Sequence, residues 1–234
     1  MIRQKLKSLK SAMPAWRDAP SWSRAFDMLK GHGFKPQTIF DVGVAHGTFP
    51  LYRAFPQAHY HLIDPDPQSL LHMERISRTI SADVHCCGLG DHDGTLLFEV
   101  RPDLQGSTFL NQAVGAVEGA HKMHAKVRRF DEMFPSFAQP ALVKLDVQGF
   151  ELHVLRGMEV SLPKVDVLIV EVSTIATVAG GAEVMAVMEF MGQRGFVLID
   201  VLGITRRPWD DATAQLDLMF VPDNAPPRHD RRWA

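Results

Sequence analysis

Three acidic residues of this sequence each follow a short apolar run, a position in which a carboxylate can bind ligand hydroxyls or accept a proton. These residues are Asp64, Asp146 and Glu171. If the apolar runs are parallel strands, the three carboxylates lie at the strand ends, where open α/β sheets bind their ligands. We therefore expect them to meet at one edge of a sheet.

A glycine-containing turn follows the first apolar run, in the segment Asp41-Val42-Gly43-Val44-Ala45-His46-Gly47. Glycine lets the backbone approach a ligand closely, and the start of the following helix offers unpaired amide donors, so the segment is typical of nucleotide-cofactor sites. Many α/β turns need glycine for structural reasons alone. The spacing differs from Gly-x-Gly-x-x-Gly, which argues against a dinucleotide and hence against a Rossmann dehydrogenase.

Asp64 lies one strand–helix–strand unit after this turn, and it strengthens the cofactor interpretation. A carboxylate at the end of the second strand can accept hydrogen bonds from both hydroxyls of a ribose. The alternative is that Asp64 only caps the helix that begins near Pro65-Asp66-Pro67.

The segment around Asp146 is the strongest of these signals, because a buried apolar strand delivers Asp146 at its carboxyl end, where open α/β sheets bind ligands. Gln148 and Glu151 follow Asp146 at the mouth of the next helix, and we predict that both face the substrate. Glu151 has the alternative role of a first-turn acid that complements the helix dipole.

The alternation of strands and helices from Thr38 onward predicts a doubly wound, mostly parallel α/β sheet with helices on both faces. A turn at Asp93-Gly94 predicts a hairpin that includes Thr95 to Val100. The glycine-containing stretch from Arg101 to Ala125 is expected to be a mobile cap. The predicted strands are Thr38–Val42, His59–Ile63, Asp83–Cys87, Ala141–Leu145, Val165–Val170, Phe196–Val201 and Leu216–Val221, and the predicted helices include His46–Arg53, Pro67–Ile76, Glu151–Gly157 and Glu183–Arg194.

Length and charge limit the remaining possibilities. The 234 residues suit one domain over 35–222, with a helical extension over 1–34 and a poorly ordered tail over 223–234. The net charge of −2 gives no general attraction to nucleic acid. No apolar run has the roughly 20 residues of a membrane span, and no secretory signal begins the chain, so we expect a cytoplasmic protein. The basic start of the chain suits a packing helix or, alternatively, a weak peripheral membrane contact.

In this order, a set of segments resembles the FkbM-type methyltransferases and covers roughly Thr38 to Val221. The most specific of them is KLDVQGFELHVLRG, and the others are IFDVGVAHG, LIDPDPQSL, GLGDHDGT, VLIVEVS and QLDLMFV. The resemblance implies a class I methyltransferase fold with a seven-stranded sheet and S-adenosylmethionine as cofactor. It also implies transfer of a methyl group, in most members to a hydroxyl of a sugar or natural product. The expected acceptor is a small molecule, a glycan or a lipid-linked sugar.

The resemblance also implies roles for individual residues. Asp64 would hold the ribose, and Asp146 would face the methionine amino group or the reacting centre. Asp41, Gly43 and Gly47 would line the methionine part, and Gly88 and Leu89 would lie near the adenine. His46, in the same turn, is also predicted to bind the cofactor.

Two residues depart from the family pattern. The family usually has Glu-Pro where this chain has Asp64-Pro65, which shortens the acid by one methylene. His46 replaces an Asn or similar small residue in the glycine turn. It is either a protonatable group near the site or a surface residue at a helix start.

Hydroxyl methylation requires a group that removes the acceptor proton. Asp146 and Glu171, on adjacent strand ends, are the predicted catalytic residues, while His46, His121 and His124 are second choices. His121 and His124 are also predicted to lie on the substrate side of the site. Alternatively, Asp146 and Glu171 bind one divalent cation between them, and this cation acidifies the acceptor hydroxyl. We predict no metal, because the sequence shows no His/Cys/Asp cluster with diagnostic ligand spacing.

Two other functions remain open at this stage. A nitrogen methyltransferase is disfavoured, because the segment after Leu145 does not match the Asn/Asp-Pro-Pro-aromatic loop of many amine methyltransferases. The other is a cofactor-binding partner protein without catalytic activity.

Overall fold

A computed structural model describes residues 19–110, 118–176, 178–230 and 232 of the chain. Its centre is a seven-stranded sheet with the order β3-β2-β1-β7-β8-β10-β9, in which the first five strands run parallel and β10 is antiparallel to both of its neighbours. The predicted α/β class is confirmed. The strands are β1 (Thr38–Val42), β2 (His59–Ile63), β3 (Ala82–His85), β7 (Ala141–Leu145), β8 (Val167–Ser173), β9 (Phe196–Arg206) and β10 (Thr213–Pro222).

Helices cover both faces of this sheet because its central strands are apolar on both sides. Strands β1 and β7 are buried along their whole length, as expected for parallel strands between two helical layers. One layer contains α1 (Trp22–Gly31), α2 (Phe49–Ala54) and α3 (Pro67–Ile76). The other contains α4 (Phe130–Met133), α5 (Glu151–Gly157) and α6 (Val184–Gln193).

A second, three-stranded sheet has the order β4-β6-β5. The expected hairpin at Asp93-Gly94 is wrong, because this turn links strands that both pair with β6 and not with each other. The expectation of a mobile cap from Arg101 to Ala125 is also wrong at its end, where residues 121–125 belong to β6 and pair with β5. The three strands are β4 (Gly88–Leu89), β5 (Gly94–Val100) and β6 (His121–Arg128).

Two boundaries near the predicted site differ from the sequence expectations. Strand β8 continues to Ser173, so Glu171 lies within the strand and pairs in register with Asp217 of β10. The first helix after β1 begins at Phe49 and not at His46. The sequence pattern cannot locate the end of β8, because an acidic residue inside a strand, such as Glu171, looks the same in the sequence as a strand end.

The segments that flank the central sheet pack against it where they are described. Phe26 and Leu29 of α1 are buried in the core. After β10, Ala225 is buried and Pro226–Arg228 forms a short 3₁₀ helix. The boundaries proposed at residues 34 and 222 stay predictions, and the basic segment proposed to contact membrane lies outside the described residues. Within the described part of the chain, no helix combines the length and apolarity that a membrane span needs.

A close backbone contact joins helix α5 to the end of strand β4 in the small sheet. Gly157, the last residue of α5, lies so near the backbone of Gly90 that a Cβ atom at residue 157 would stand 1.9 Å from the Gly90 carbonyl oxygen. No side chain can be accommodated there without moving backbone, because protein interiors are close-packed.

We therefore expect Gly157→Ala to lower the free energy of unfolding by about 1–3 kcal/mol, the usual cost of overpacking. Gly192→Ala in α6 is the matched control, since a Cβ atom there meets nothing within 4 Å. The control should raise stability by about 0.5–1 kcal/mol, because alanine favours a helix over glycine. Urea unfolding of both variants checks the prediction, and equal stabilities would contradict the packing of α5 on Gly90.

Candidate active site

A cavity of about 320 Å³ opens at the carboxyl ends of β1, β2 and β7. Most of the predicted cofactor residues line it, namely Gly43, His46, Gly47, Asp64, Gly88, Leu89 and Asp146. Its opposite wall is formed by Phe98, Leu104, Gln105, Ser107 and Phe109, and by Gln148, Glu171, Thr205 and Gln215. The cavity therefore lies between the central sheet and the segment that follows β5.

The glycine turn after β1 forms one side of the cavity. Gly43 has a φ of 79° and Gly47 a φ of 114°, which are conformations that L side chains rarely adopt. A Cβ atom on Gly43 would also stand 1.7 Å from the Asp146 carbonyl oxygen. The turn thus brings its backbone directly against the end of β7. His46 lies exposed at the rim, with its ring centroid 4.8 Å from that of His72.

Asp64 joins this turn to the end of β2. Its Oδ2 accepts a hydrogen bond from the Ala45 amide at 2.9 Å, and its Oδ1 accepts one from the Asp66 amide at 2.9 Å. Burial raises the pKa of Asp64 to about 6. The helix-cap alternative for Asp64 is wrong, since Asp66 caps α3 by accepting from the Gln68 amide. Each oxygen of the Asp64 carboxylate can still accept a hydrogen bond from a group in the cavity.

A buried lysine connects the two strands at the floor of the cavity. Lys144 of β7 stands opposite Asp41 of β1 in the sheet register. Its Nζ donates to the Gly43 carbonyl oxygen at 2.6 Å and lies 3.3 Å from Asp41 Oδ1 and 3.4 Å from Asp146 Oδ2. Burial opposes the charge of Lys144, but the carboxylates of Asp146 and Asp41 outweigh it and raise its pKa.

Asp41 is a positioning residue in this arrangement. It is fully buried, is not among the lining residues of the cavity, and accepts hydrogen bonds from the hydroxyls of Thr48 and Tyr52 at 3.1 and 2.5 Å. Its carboxylate therefore holds the start of α2 and Lys144, and its role in cofactor binding stays a prediction.

A network of two carboxyls and two amides forms the wall at β7, β8 and β10. Gln148 Nε2 donates to Asp146 Oδ1 and to Glu171 Oε2, both at 2.7 Å. Gln215 Nε2 donates to the same Glu171 oxygen at 2.9 Å. The structure thus brings together the two predicted catalytic residues and one predicted substrate-side residue. An amide stands at the position that a shared divalent cation would need.

Glu171 lies deep in this wall beside a second carboxyl group. Burial, reinforced by the nearby Asp146 carboxylate, raises the pKa of Glu171 well above its usual range. Two like charges at short range are unfavourable, which favours a proton on Glu171. Asp146 Oδ2 lies 3.4 Å from the Lys144 ammonium nitrogen.

Glu151 does not face the cavity. Its side chain is 2% exposed, and its Oε1 accepts from the amides of Val147 and Gly149 at 3.0 and 3.1 Å. These bonds fix a turn in which Gln148 has a φ of 52° and Gly149 a φ of 96°. Glu151 therefore positions Gln148 instead of contacting substrate. Burial raises the pKa of Glu151 to about 7.

The two histidines predicted on the substrate side lie elsewhere. His121 and His124 are exposed residues of β6 and are not among the described lining residues. The sequence analysis missed Lys144 and Gln215. A lysine inside a run of buried apolar residues is a signal that was available. Gln215 carries no such signal, because only the β8–β10 pairing brings it beside Glu171.

Comparison with known proteins identifies the family. The family model described as the methyltransferase FkbM domain matches residues 41–198, more than half of the chain. The chain belongs to the FkbM methyltransferase family. The resemblance recognised in the sequence is thereby confirmed.

Two further comparisons show how similar the chain is to individual proteins. The chain is 27% identical over 144 residues to Methyltransferase 1 of Beauveria bassiana, a match that covers 52% of this chain and 58% of that protein. The crystal structure of methyltransferase FkbM from Methylobacillus flagellatus superposes with a TM-score of 0.51 at 17% identity, covering 79% of this chain and 44% of that one. The latter shows a shared fold. The chain spans about half the length of both relatives.

The position of Glu151 predicts a pH-dependent effect on stability. Its pKa in the folded state, about 7, lies above its usual value of 4.5, so the fold favours the protonated acid. Its stabilising contribution is complete below pH 4.5 and is lost as pH rises through 7. Glu151→Gln keeps the acceptor oxygen without the charge. From pH 5 to pH 8, the variant should gain about 2 kcal/mol relative to the natural chain, from the pKa difference.

Urea unfolding of both proteins at several pH values measures this gain. Glu189→Gln, an exposed residue of α6, is the control and should show no trend. A stability difference between Glu151→Gln and the natural chain that does not change with pH would contradict the buried position of the acid.

Proposed function

We propose that this chain is an S-adenosylmethionine-dependent methyltransferase that methylates a hydroxyl group of a neutral, polyhydroxylated small molecule or sugar. The observation that carries the proposal is the pair of carboxyls in the cavity wall, with one proton between them and one amide bridging them. Such a pair offers a proton acceptor and a proton donor within reach of one bound hydroxyl.

The lining of the cavity offers suitable partners for each part of the cofactor. The Gly43 turn, which excludes any side chain, would take the methionine part, and Asp64 would accept from the ribose hydroxyls. Ile63, Cys87 and Leu89 offer an apolar surface for the adenine. When bound, S-adenosylmethionine supplies an electrophilic methyl group on a sulfonium centre.

The residues of this chain would prepare the acceptor oxygen. Asp146, held by Lys144 and Gln148, would accept the hydroxyl proton as the oxygen attacks. Glu171 keeps its proton and would donate a hydrogen bond that orients the acceptor. The segment after β5 covers the cavity and limits access of water, which would otherwise compete for the methyl group.

The acceptor wall favours a neutral, hydrogen-bonding ligand. Gln105, Ser107, Thr205 and Gln215 present uncharged polar groups to the cavity. Lys144 is the one lysine or arginine among the described lining residues, and its ammonium already binds two carboxylates and a carbonyl. A phosphorylated acceptor would find no free cation there, whereas a sugar or polyol would find both donors and acceptors.

Cofactor binding is the first test. Isothermal titration should show micromolar binding of S-adenosylmethionine and S-adenosylhomocysteine and none of NAD. We expect Asp64→Ala to weaken both by at least about tenfold, the effect of losing roughly 1.4 kcal/mol of hydrogen bonding. His121→Asn, which changes an exposed residue of β6, should bind as the natural chain does. No binding of either ligand to the natural chain would overturn the proposal.

Methyl transfer separates the roles of the two carboxyls. With radiolabelled S-adenosylmethionine and a panel of sugars, polyols, phenols and amines, Asp146→Asn should lower turnover about 10²–10⁴-fold, as expected for a lost base. Glu171→Gln keeps a neutral hydrogen-bonding group and should retain turnover within about tenfold. The reverse order would assign the base to Glu171. Transfer to amines alone would favour a nitrogen methyltransferase, and binding without any transfer would favour a non-catalytic partner protein.

A further inference from the structure

A cluster of histidine and aspartate side chains lies on β2 and β3, away from the cavity. His59 and His61 alternate along β2, and Asp83 and His85 alternate along the neighbouring strand β3. His61 pairs in register with Asp83, and Ile63 pairs with His85. Because every second residue of a strand points to the same face, all four side chains project from one face at the edge of the sheet.

The ligand-type atoms of this cluster are close together. His59 Nε2 lies 3.2 Å from Asp83 Oδ2, and His61 Nδ1 lies 3.8 Å from the same oxygen. His85 Nε2 lies 3.1 Å from His61 Nδ1. One ligand atom from each of His59, His61 and Asp83 lies within 4.8 Å of the other two. Zinc bonds of 2.0–2.2 Å at tetrahedral angles require ligand atoms about 3.3 Å apart.

The histidine rings are held in fixed orientations, as those of metal ligands usually are. The Nδ1 atom of His59 lies 2.9 Å from the Ser81 hydroxyl, which leaves Nε2 facing Asp83. Such an outer hydrogen bond fixes the ring of a metal-binding histidine. The His61 ring stacks on Phe40 at 4.8 Å.

We propose that His59, His61 and Asp83 bind a divalent transition metal ion, with Zn²⁺ as the preferred ion and His85 beside the fourth position. Two imidazoles and one carboxylate suit zinc, whereas Mg²⁺ and Ca²⁺ prefer oxygen ligands throughout. The sequence analysis predicted no metal because its search was for clustered ligand spacing along the chain. The two His-x-His and Asp-x-His pairs become one group only when β3 pairs with β2.

The position of the site indicates a structural role. None of the four residues lines the cavity, and β3 is the edge strand of the sheet. A bound ion would tie this edge strand to β2, whose end carries Asp64. We therefore expect the ion to stabilise the fold, and its binding does not depend on methyltransferase activity.

The test uses the full chain after treatment with a chelator and measures zinc binding by isothermal titration and thermal unfolding. The natural chain should bind one Zn²⁺ and show a higher Tm with zinc but not with Mg²⁺. Co²⁺ should give the visible absorption of a tetrahedral site. Asp83→Asn and the double variant His59→Asn/Asp83→Asn should weaken zinc binding at least about 100-fold. Losing only an outer hydrogen-bond partner of a metal ligand costs about 10–100-fold, and these variants change the ligands themselves.

The control is the double variant His121→Asn/His124→Asn, which removes two exposed histidines of β6 and should bind zinc as the natural chain does. Circular dichroism of each variant verifies that it is folded before titration, and Asp83→Asn serves alone if the double variant is not. Zinc affinity that is equal in the natural chain and in folded Asp83→Asn would overturn the proposal. Loss of affinity in the β6 control alone would also overturn it.

Discussion

The ammonium group of Lys144 is the charge around which the cavity is arranged. It sits in an otherwise apolar parallel strand, and it is balanced there by Asp41 across the sheet and by Asp146 at the end of its own strand. Removing one partner of such a buried set lowers the free energy of unfolding by about 3–5 kcal/mol, because the charge left behind is neither paired nor solvated. Three buried or partly buried charges therefore depend on one another at the point where the glycine turn meets β7.

This arrangement separates residues that only support the cavity from residues that line it. Asp41 and Glu151 are buried and bind neighbouring protein groups outside the cavity, Lys144 is buried at its floor, and Asp146, Gln148 and Glu171 line its wall. Acidic residues at strand ends look alike in the sequence, and only their hydrogen-bond partners divide them into these two sets. The division also explains why two carboxyls a few residues apart, Asp146 and Glu151, have different tasks.

The sequence predicted the central sheet well because each of its strands is a short apolar run between turn residues. It failed where structure depends on distant pairing. The hairpin expected at Asp93-Gly94 is replaced by pairing of β5 with β6, and β6 begins far along the chain. His121 and His124 were placed near the site because their segment was expected to be a loop, and strand formation directs them to solvent. Gln215 and the cluster on β2 and β3 likewise arise only from strand register.

The pairing of β5 with β6 has a consequence for how this fold can change. Val100 and His121 are register partners, so the segment between them begins and ends at neighbouring positions of the small sheet. Because its two ends are clamped together, that segment can lengthen, shorten or change composition without moving the strands that carry the glycine turn and Asp64. Leu104, Gln105 and Ser107 belong to it. Changes in this segment would therefore alter one wall of the cavity and leave the glycine turn and Asp64 in place.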